Sequence, residues 1–159
     1  MASPRNDFPT EVFVARSEMP VSAAALFRWH CRPEAFTDLL PPGDPTTVER
    51  PAEIRNGEEM VLRVGVGPFR LRWVARIYDV VPERQFRDLQ ISGPFRFWLH
   101  SHLMEPIDDR RSTLEDRVTF ALRGGRLAHF LGAWFVRRKL QSSFAATPSG
   151  ANQLARSQP

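Results

Sequence analysis

The stretch Gly93-Pro94-Phe95-Arg96-Phe97-Trp98-Leu99-His100-Ser101-His102-Leu103-Met104-Glu105 constrains this chain more than any other. It is too long and too aromatic for a loop, it opens on a Gly-Pro turn signal, and it closes at Pro106, so it reads as a long strand. Residues two apart on a strand share a face. Arg96, Trp98, His100, His102 and Met104 therefore point one way, and Phe95, Phe97, Leu99, Ser101 and Leu103 the other. The histidine face combines apolar area with a few fixed polar groups, which is the make-up of a ligand-site wall.

The segments around it supply the rest of a sheet. Residues 11–18 alternate as a first strand, and a serine then precedes good helix formers, predicting a helix over 21–31. A second short helix over 33–40 has proline at its permitted first-turn position. Further strands are predicted over 47–51, 58–66, 69–80 and 84–92. In 69–80, Phe69, Leu71, Trp73, Ala75 and Ile77 oppose Arg70, Arg72 and Arg76, the pattern of an antiparallel sheet covered on one face. In 84–92, Phe86, Asp88, Gln90 and Ser92 share a face opposite Arg87, Leu89 and Ile91, and either face could be inward. In 113–123 the inward row is plain: Leu114, Asp116, Val118, Phe120 and Leu122, with one carboxylate among apolar residues. From Arg126 the period becomes helical, and Leu127, Phe130, Leu131, Trp134 and Phe135 form the apolar stripe of a helix of roughly 18 residues that must lie on something apolar. The polar, proline-bearing residues 1–10 and the tail 147–159 are expected to be disordered, leaving a single domain over 11–146.

Pairing of the last two strands turns this pattern into a site. Strands joined by a short loop pair antiparallel, and directly opposed residues face the same way. A loop centred near Asp109 sets His102 across from Asp116, His100 across from Val118 and Trp98 across from Phe120; a slip by two would set His100 across from Asp116 instead. Either register turns the histidine face inward. If the strand from Arg84 is the other neighbour, Asp88 and Gln90 join the same cavity.

Charge and composition remove several classes of function. Net charge is +4, carried by arginines scattered singly near acidic residues, with Arg137-Arg138-Lys139 the one compact run. That distribution, without a binding motif or an aromatic-basic stripe, argues against a nucleic-acid partner. The longest mostly apolar run, 127–136, falls far short of the roughly 20 residues of a membrane span, and the N-terminus has no signal pattern, so a cytoplasmic location is expected. Cys31 is the single cysteine, which rules out an internal disulfide; beside His30 on one helix it does not form a dyad. No nucleophile elbow, phosphate loop or dinucleotide fingerprint is present, and no cofactor is assigned. The His100-Ser101-His102 pair suits a divalent metal, but the sequence offers no evident third and fourth ligand, so no metal site is assigned. The same histidines with Asp116 are the candidates for an oriented general base, and a buried polar network that satisfies itself is the alternative.

Strand, two short helices, a run of antiparallel strands and a long terminal helix is the order of the helix-grip fold. On Trp73 with Ile77, Phe86-Arg87-Asp88-Leu89-Gln90, Gly93-Pro94-Phe95, Trp98-Leu99-His100-Ser101-His102 and Asp116-Arg117-Val118, the chain resembles the START-like, or SRPBCC, superfamily over about residues 12–144. Within it the resemblance is to small bacterial polyketide cyclase/dehydrase-like ligand-binding proteins. The resemblance implies an α+β fold in which a curved antiparallel sheet wraps around the C-terminal helix and encloses an apolar cavity. Its walls would be Trp73, Asp88, Gln90, Trp98, His100, His102, Asp116 and Phe120, with Phe130 and Trp134 from the helix. Binding of a small hydrophobic molecule (lipid, polyketide or isoprenoid-like) is the leading expectation. The enzymatic rival is a lyase-type cyclase or dehydratase using the His-Asp pair. A third class is an interaction module for a protein partner or a second copy, docking through Arg137 to Lys139.

Overall fold

The computed structural model describes residues 8–41, 43–66, 68–124 and 132–141. Seven strands, β1 (Glu11–Met19), β2 (Thr47–Arg50), β3 (Glu59–Val66), β4 (Phe69–Val81), β5 (Gln85–Ser92), β6 (Phe97–Pro106) and β7 (Ser112–Ala121), form one sheet. Its order is β1-β7-β6-β5-β4-β3-β2, and every neighbouring pair is antiparallel. Two helices, α1 (Ala23–His30) and α2 (Ala35–Asp38), follow β1, and helical residues 132–141 form the described part of the terminal helix, α3. This is the helix-grip α+β architecture.

Local chemistry sets the boundaries. Helix α1 starts where the Ser22 hydroxyl accepts from the Ala25 amide at 3.3 Å, satisfying a donor the first turn leaves open. The helix is shorter than the 21–31 expected, and α2 is a single turn. The sheet register matches the pairing argument: His102 faces Asp116, His100 faces Val118 and Trp98 faces Phe120. On the other side of β6, Asp88 faces His100 and Phe86 faces His102, so the ambiguous strand turns its Phe86-Asp88 face inward.

The inner face carries two apolar clusters. Met19, Val21, Leu26, Phe27, Trp29, Phe86, Met104 and Leu114 pack where α1 and α2 cover one end of the sheet. At the other end Val118 and Phe120 pack with Ala133, Phe13, Phe95, Trp98, Val136 and Leu140 under α3. Arg137 of α3 donates to the Val12 carbonyl at 2.8 Å and lies near Glu11, tying the helix to the edge strand. The outer face is an arginine lattice in which Arg16 and Arg117 flank Glu115, Arg76 pairs with Glu59 and Arg63 with Glu49.

Three expectations are corrected. Trp134 and Phe135 do not sit under the sheet; they are 65% and 61% exposed, because α3 lays Ala133, Val136 and Leu140 on the core instead. Phe69, expected in the inward row of β4, is 68% exposed at the β3–β4 hairpin tip, beyond the reach of either cluster. Residues 93–96 are a bend and β6 begins at Phe97, so the strand is shorter than the 93–105 stretch and Phe95 escapes its alternation. Leu127, Phe130 and Leu131 of the expected stripe, and the termini 1–7 and 142–159, lie outside the described residues.

The two kinds of phenylalanine separate in a stability measurement. Phe120→Ala, which empties a fully buried site, should lower unfolding free energy by about 3–5 kcal/mol in urea denaturation. Phe69→Ala should change it by no more than about 0.5 kcal/mol; a cost for Phe69 comparable with that for Phe120 would show that the hairpin tip is packed.

Candidate functional site

Between the two apolar clusters lie four ionisable side chains from three adjacent strands: Asp88 of β5, His100 and His102 of β6, and Asp116 of β7. Strand alternation brings the two histidines inward together, and the pairings Asp88 with His100 and His102 with Asp116 bring one carboxylate to each side. The rings stand 3.9 Å apart between centroids. Ionised carboxylates only accept. His100 Nε2 therefore donates to Asp116 Oδ1 at 3.0 Å, and His102 Nε2 to Asp88 Oδ2 at 3.3 Å. Two longer or skewed contacts close the ring: His100 Nδ1 lies 3.7 Å from Asp88 Oδ2, and His102 Nδ1 lies 2.8 Å from Asp116 Oδ1. That last approach is too bent for a hydrogen bond, and His102 Nδ1 is a buried nitrogen with no partner in line.

Burial and charge pull these groups in opposite directions. Burial alone would push the His102 imidazole down, but the close approach of Asp116, the hydrogen bond to Asp88 and the negative charge of both carboxylates outweigh it and raise its pKa from 6.5 to about 9. Burial likewise favours the neutral acid at Asp116, yet the bond from His100 and the close contact and positive charge of His102 hold its carboxyl well below the usual carboxylate range. A fifth group, unforeseen from the sequence, touches the set. His30, at the C-terminal end of α1, donates from Nδ1 to the Leu26 carbonyl at 2.9 Å, and its ring centre is 5.9 Å from that of His102. Burial, then the positive His102, lowers its pKa to about 4. The signal was present in helical spacing: His30 lies four residues after Leu26 and three after Phe27, on the buried face of α1.

Next to the charged set is an aromatic wall. Trp73 of β4 meets Trp98 edge-on at 5.1 Å, and Phe95 lies 5.5 Å from Trp73, 4.6 Å from Trp98 and 6.1 Å from Phe120. Trp73, Phe95 and Trp98 are only partly buried, whereas Phe120 is fully enclosed. Phe95 reaches this wall through Gln90. The Gln90 amide donates to the Phe95 carbonyl at 2.9 Å and accepts from the Phe95 amide at 3.3 Å, so Gln90 clamps a turn instead of joining the charged set. Gly93 leaves room for that clamp, since a Cβ there would stand 2.5 Å from Gln90 Oε1 and push the amide aside. The structure thus brings Trp73, Asp88, Trp98, His100, His102, Asp116 and Phe120 to one face, leaves Trp134 outside, and does not describe Phe130.

A family model described as polyketide cyclase / dehydrase and lipid transport matches residues 19–148. The chain belongs to this family. Nothing among curated protein sequences matches it. Solved structures of the same shape include the Zhui aromatase/cyclase from Streptomyces sp. R1128, with TM-score 0.72 and 15% identity over 94% of this chain and 98% of that one. A START superfamily protein from Mycobacterium smegmatis matches at TM-score 0.64 and 14% identity, over 90% of this chain and 98% of its own. Norcoclaurine synthase from Thalictrum flavum, in complex with dopamine and hydroxybenzaldehyde, matches at TM-score 0.68 and 11% identity, over 100% of this chain and 97% of its own. At such identities the likeness is one of fold. Among the described residues no helix is long and apolar enough to cross a membrane.

The opposite shifts of the two buried histidines give stability a maximum. His102, raised to about 9, contributes fully below pH 6.5 and loses that contribution as pH climbs from 6.5 to 9. His30, lowered to about 4, contributes fully above pH 6.5 and loses it as pH falls from 6.5 to 4. Each limb is on the order of 3 kcal/mol. Thermal melts of the full chain between pH 4 and pH 9 should therefore peak near 6.5, and a profile that climbs steadily across this range would contradict the assignment.

Proposed function

We propose that this protein binds a small hydrophobic molecule, of lipid, polyketide or isoprenoid type, between the inner face of the sheet and the C-terminal helix. The observation that carries the reading is the incomplete burial of Trp73, Phe95 and Trp98. Large aromatic side chains that pack on one another at the centre of a sheet, beside a fully enclosed Phe120, would be covered completely if the interior had no other occupant to receive. The Asp88-His100-His102-Asp116 set at the edge of this wall supplies the fixed polar groups that orient a ligand oxygen. Membership of a family described by both cyclase/dehydrase activity and lipid transport is consistent with such a ligand.

Binding is preferred to general-base catalysis on one ground. Every ring nitrogen of His100 and His102 lies within 3.7 Å of a carboxylate oxygen. His102 in particular holds its proton up to about pH 9 and is no acceptor at neutral pH. A cyclase or dehydratase role would need one of these nitrogens to leave its carboxylate when substrate enters.

Displacement of a polarity-sensitive fluorophore by a panel of fatty acids, isoprenols and aromatic polyketides tests the reading. At least one class should displace the probe, and Trp98→Ala should weaken that ligand by roughly ten-fold or more, the value of one aromatic wall. Trp134→Ala, on the exposed side of α3, should leave binding unaltered. Equal affinity in wild type and Trp98→Ala would sink the claim that this wall receives the ligand.

A further inference from the structure

The charged set has the donors of a metal site. Asp88, His100 and His102 each present one ligand atom, and these three atoms lie within 4.8 Å of one another. The edges measured from Asp88 Oδ2 are 3.3 Å to His102 Nε2 and 3.7 Å to His100 Nδ1. A tetrahedral zinc ion with bonds of ~2.0–2.1 Å separates its ligands by ~3.3 Å, whereas an octahedral face with the same bonds separates them by only ~3.0 Å. The two edges from Asp88 fit the tetrahedron with small side-chain adjustments, and the edge between the histidines lies within 4.8 Å.

The far side of each histidine is also prepared. Imidazoles that ligate metal usually donate their other ring N–H to a carboxylate, which fixes the tautomer and the ring orientation. Asp116 Oδ1 stands at that position for both rings, 3.0 Å from His100 Nε2 and 2.8 Å from His102 Nδ1. One carboxylate thus faces the two nitrogens that a metal would leave protonated, and the other faces the two it would occupy. His102 Nδ1, 2.8 Å from Asp116 Oδ1 but out of line with it, would gain that bond by a small rotation of the ring as Nε2 turns onto the metal. Ligation releases the proton that His102 otherwise holds on Nε2; with both imidazoles then neutral, Asp88 and Asp116 bring two negative charges into the site, and one divalent cation neutralises them.

We propose that Asp88, His100 and His102 bind one divalent transition-metal ion of zinc type, with Asp116 as the shared carboxylate that positions both histidines and a fourth coordination position left to water. The inference stands on the donor geometry and does not depend on the hydrophobic-ligand reading, since the ion is assayed without any organic ligand present.

The test uses the full chain stripped with a chelator, then titrated with zinc by calorimetry and with cobalt by visible absorption. The expected result is one equivalent of zinc, and with cobalt the strong visible bands of a four- or five-coordinate site. Asp88→Asn and His100→Gln each remove a donor and should weaken zinc by roughly 100-fold or more. Asp116→Asn removes only the positioning group, so it should keep the one-to-one stoichiometry while weakening zinc by roughly 10–100-fold. Circular dichroism of each variant checks that it folds, and His100→Gln, at the more open histidine, serves if Asp88→Asn does not. Absence of stoichiometric binding by the wild type, or unchanged affinity in folded His100→Gln, would overturn the proposal.

Discussion

Pairing of β6 with β7, His102 opposite Asp116, is the interaction on which the interior depends. A slip of one residue would turn Trp98, His100, His102 and Met104 onto the arginine side of the sheet and bring Leu99, Ser101 and Leu103 inside. Charge enforces the register as firmly as hydrophobicity does. Asp116 is buried in a row with Leu114, Val118 and Phe120, and an isolated carboxylate there would be very costly. Two imidazoles in contact make it tolerable, and the observed alignment provides both. Because breaking one partner of such a set strands the other, its worth lies more in excluding wrong alignments than in net stability.

The same four side chains divide the interior. On β6 the inward sequence runs Met104, His102, His100, Trp98, and on β7 it runs Leu114, Asp116, Val118, Phe120. The first member of each row belongs to the cluster capped by α1, the last to the cluster under α3. Helix α1 therefore packs on an interior that is closed and apolar, while α3 packs beside the partly covered aromatic wall. The arginine lattice on the outer face lets this division be one-sided: with Glu115, Glu59 and Glu49 pairing the strand arginines, nothing on that side competes for the inner residues.

Much of this was legible in the chain. Alternation over residues 113–123 identifies the inward face of β7, and a short loop fixes its partner, so three residue pairs follow from arithmetic. The missing parts have physical reasons. Asp88 lies on a strand whose two faces are equally mixed, and only the neighbouring strand decides between them. Phe95 follows a turn that Gln90 holds by two hydrogen bonds, an interaction that alternation does not encode. His30 stands beside Cys31 at a helix end, where adjacency in sequence hides that its helical spacing from Leu26 and Phe27 points inward. Trp134 and Phe135 show the limit of periodicity: an aromatic stripe suggests burial, but α3 selects the smaller Ala133 and the aliphatic Val136 and Leu140 for its contact with Val118 and Phe120.

The partition by charge also separates what must be kept from what is able to change. Residues on opposite sides of the Asp88-His100-His102-Asp116 set share few partners, and substitutions without shared partners add independently. The α1 half is thus free to act as the fold's anchor while the half beneath α3 is re-shaped for a different occupant, one aromatic at a time, without the first half having to compensate. A scaffold arranged in this way is suited to diversify its contents faster than its framework.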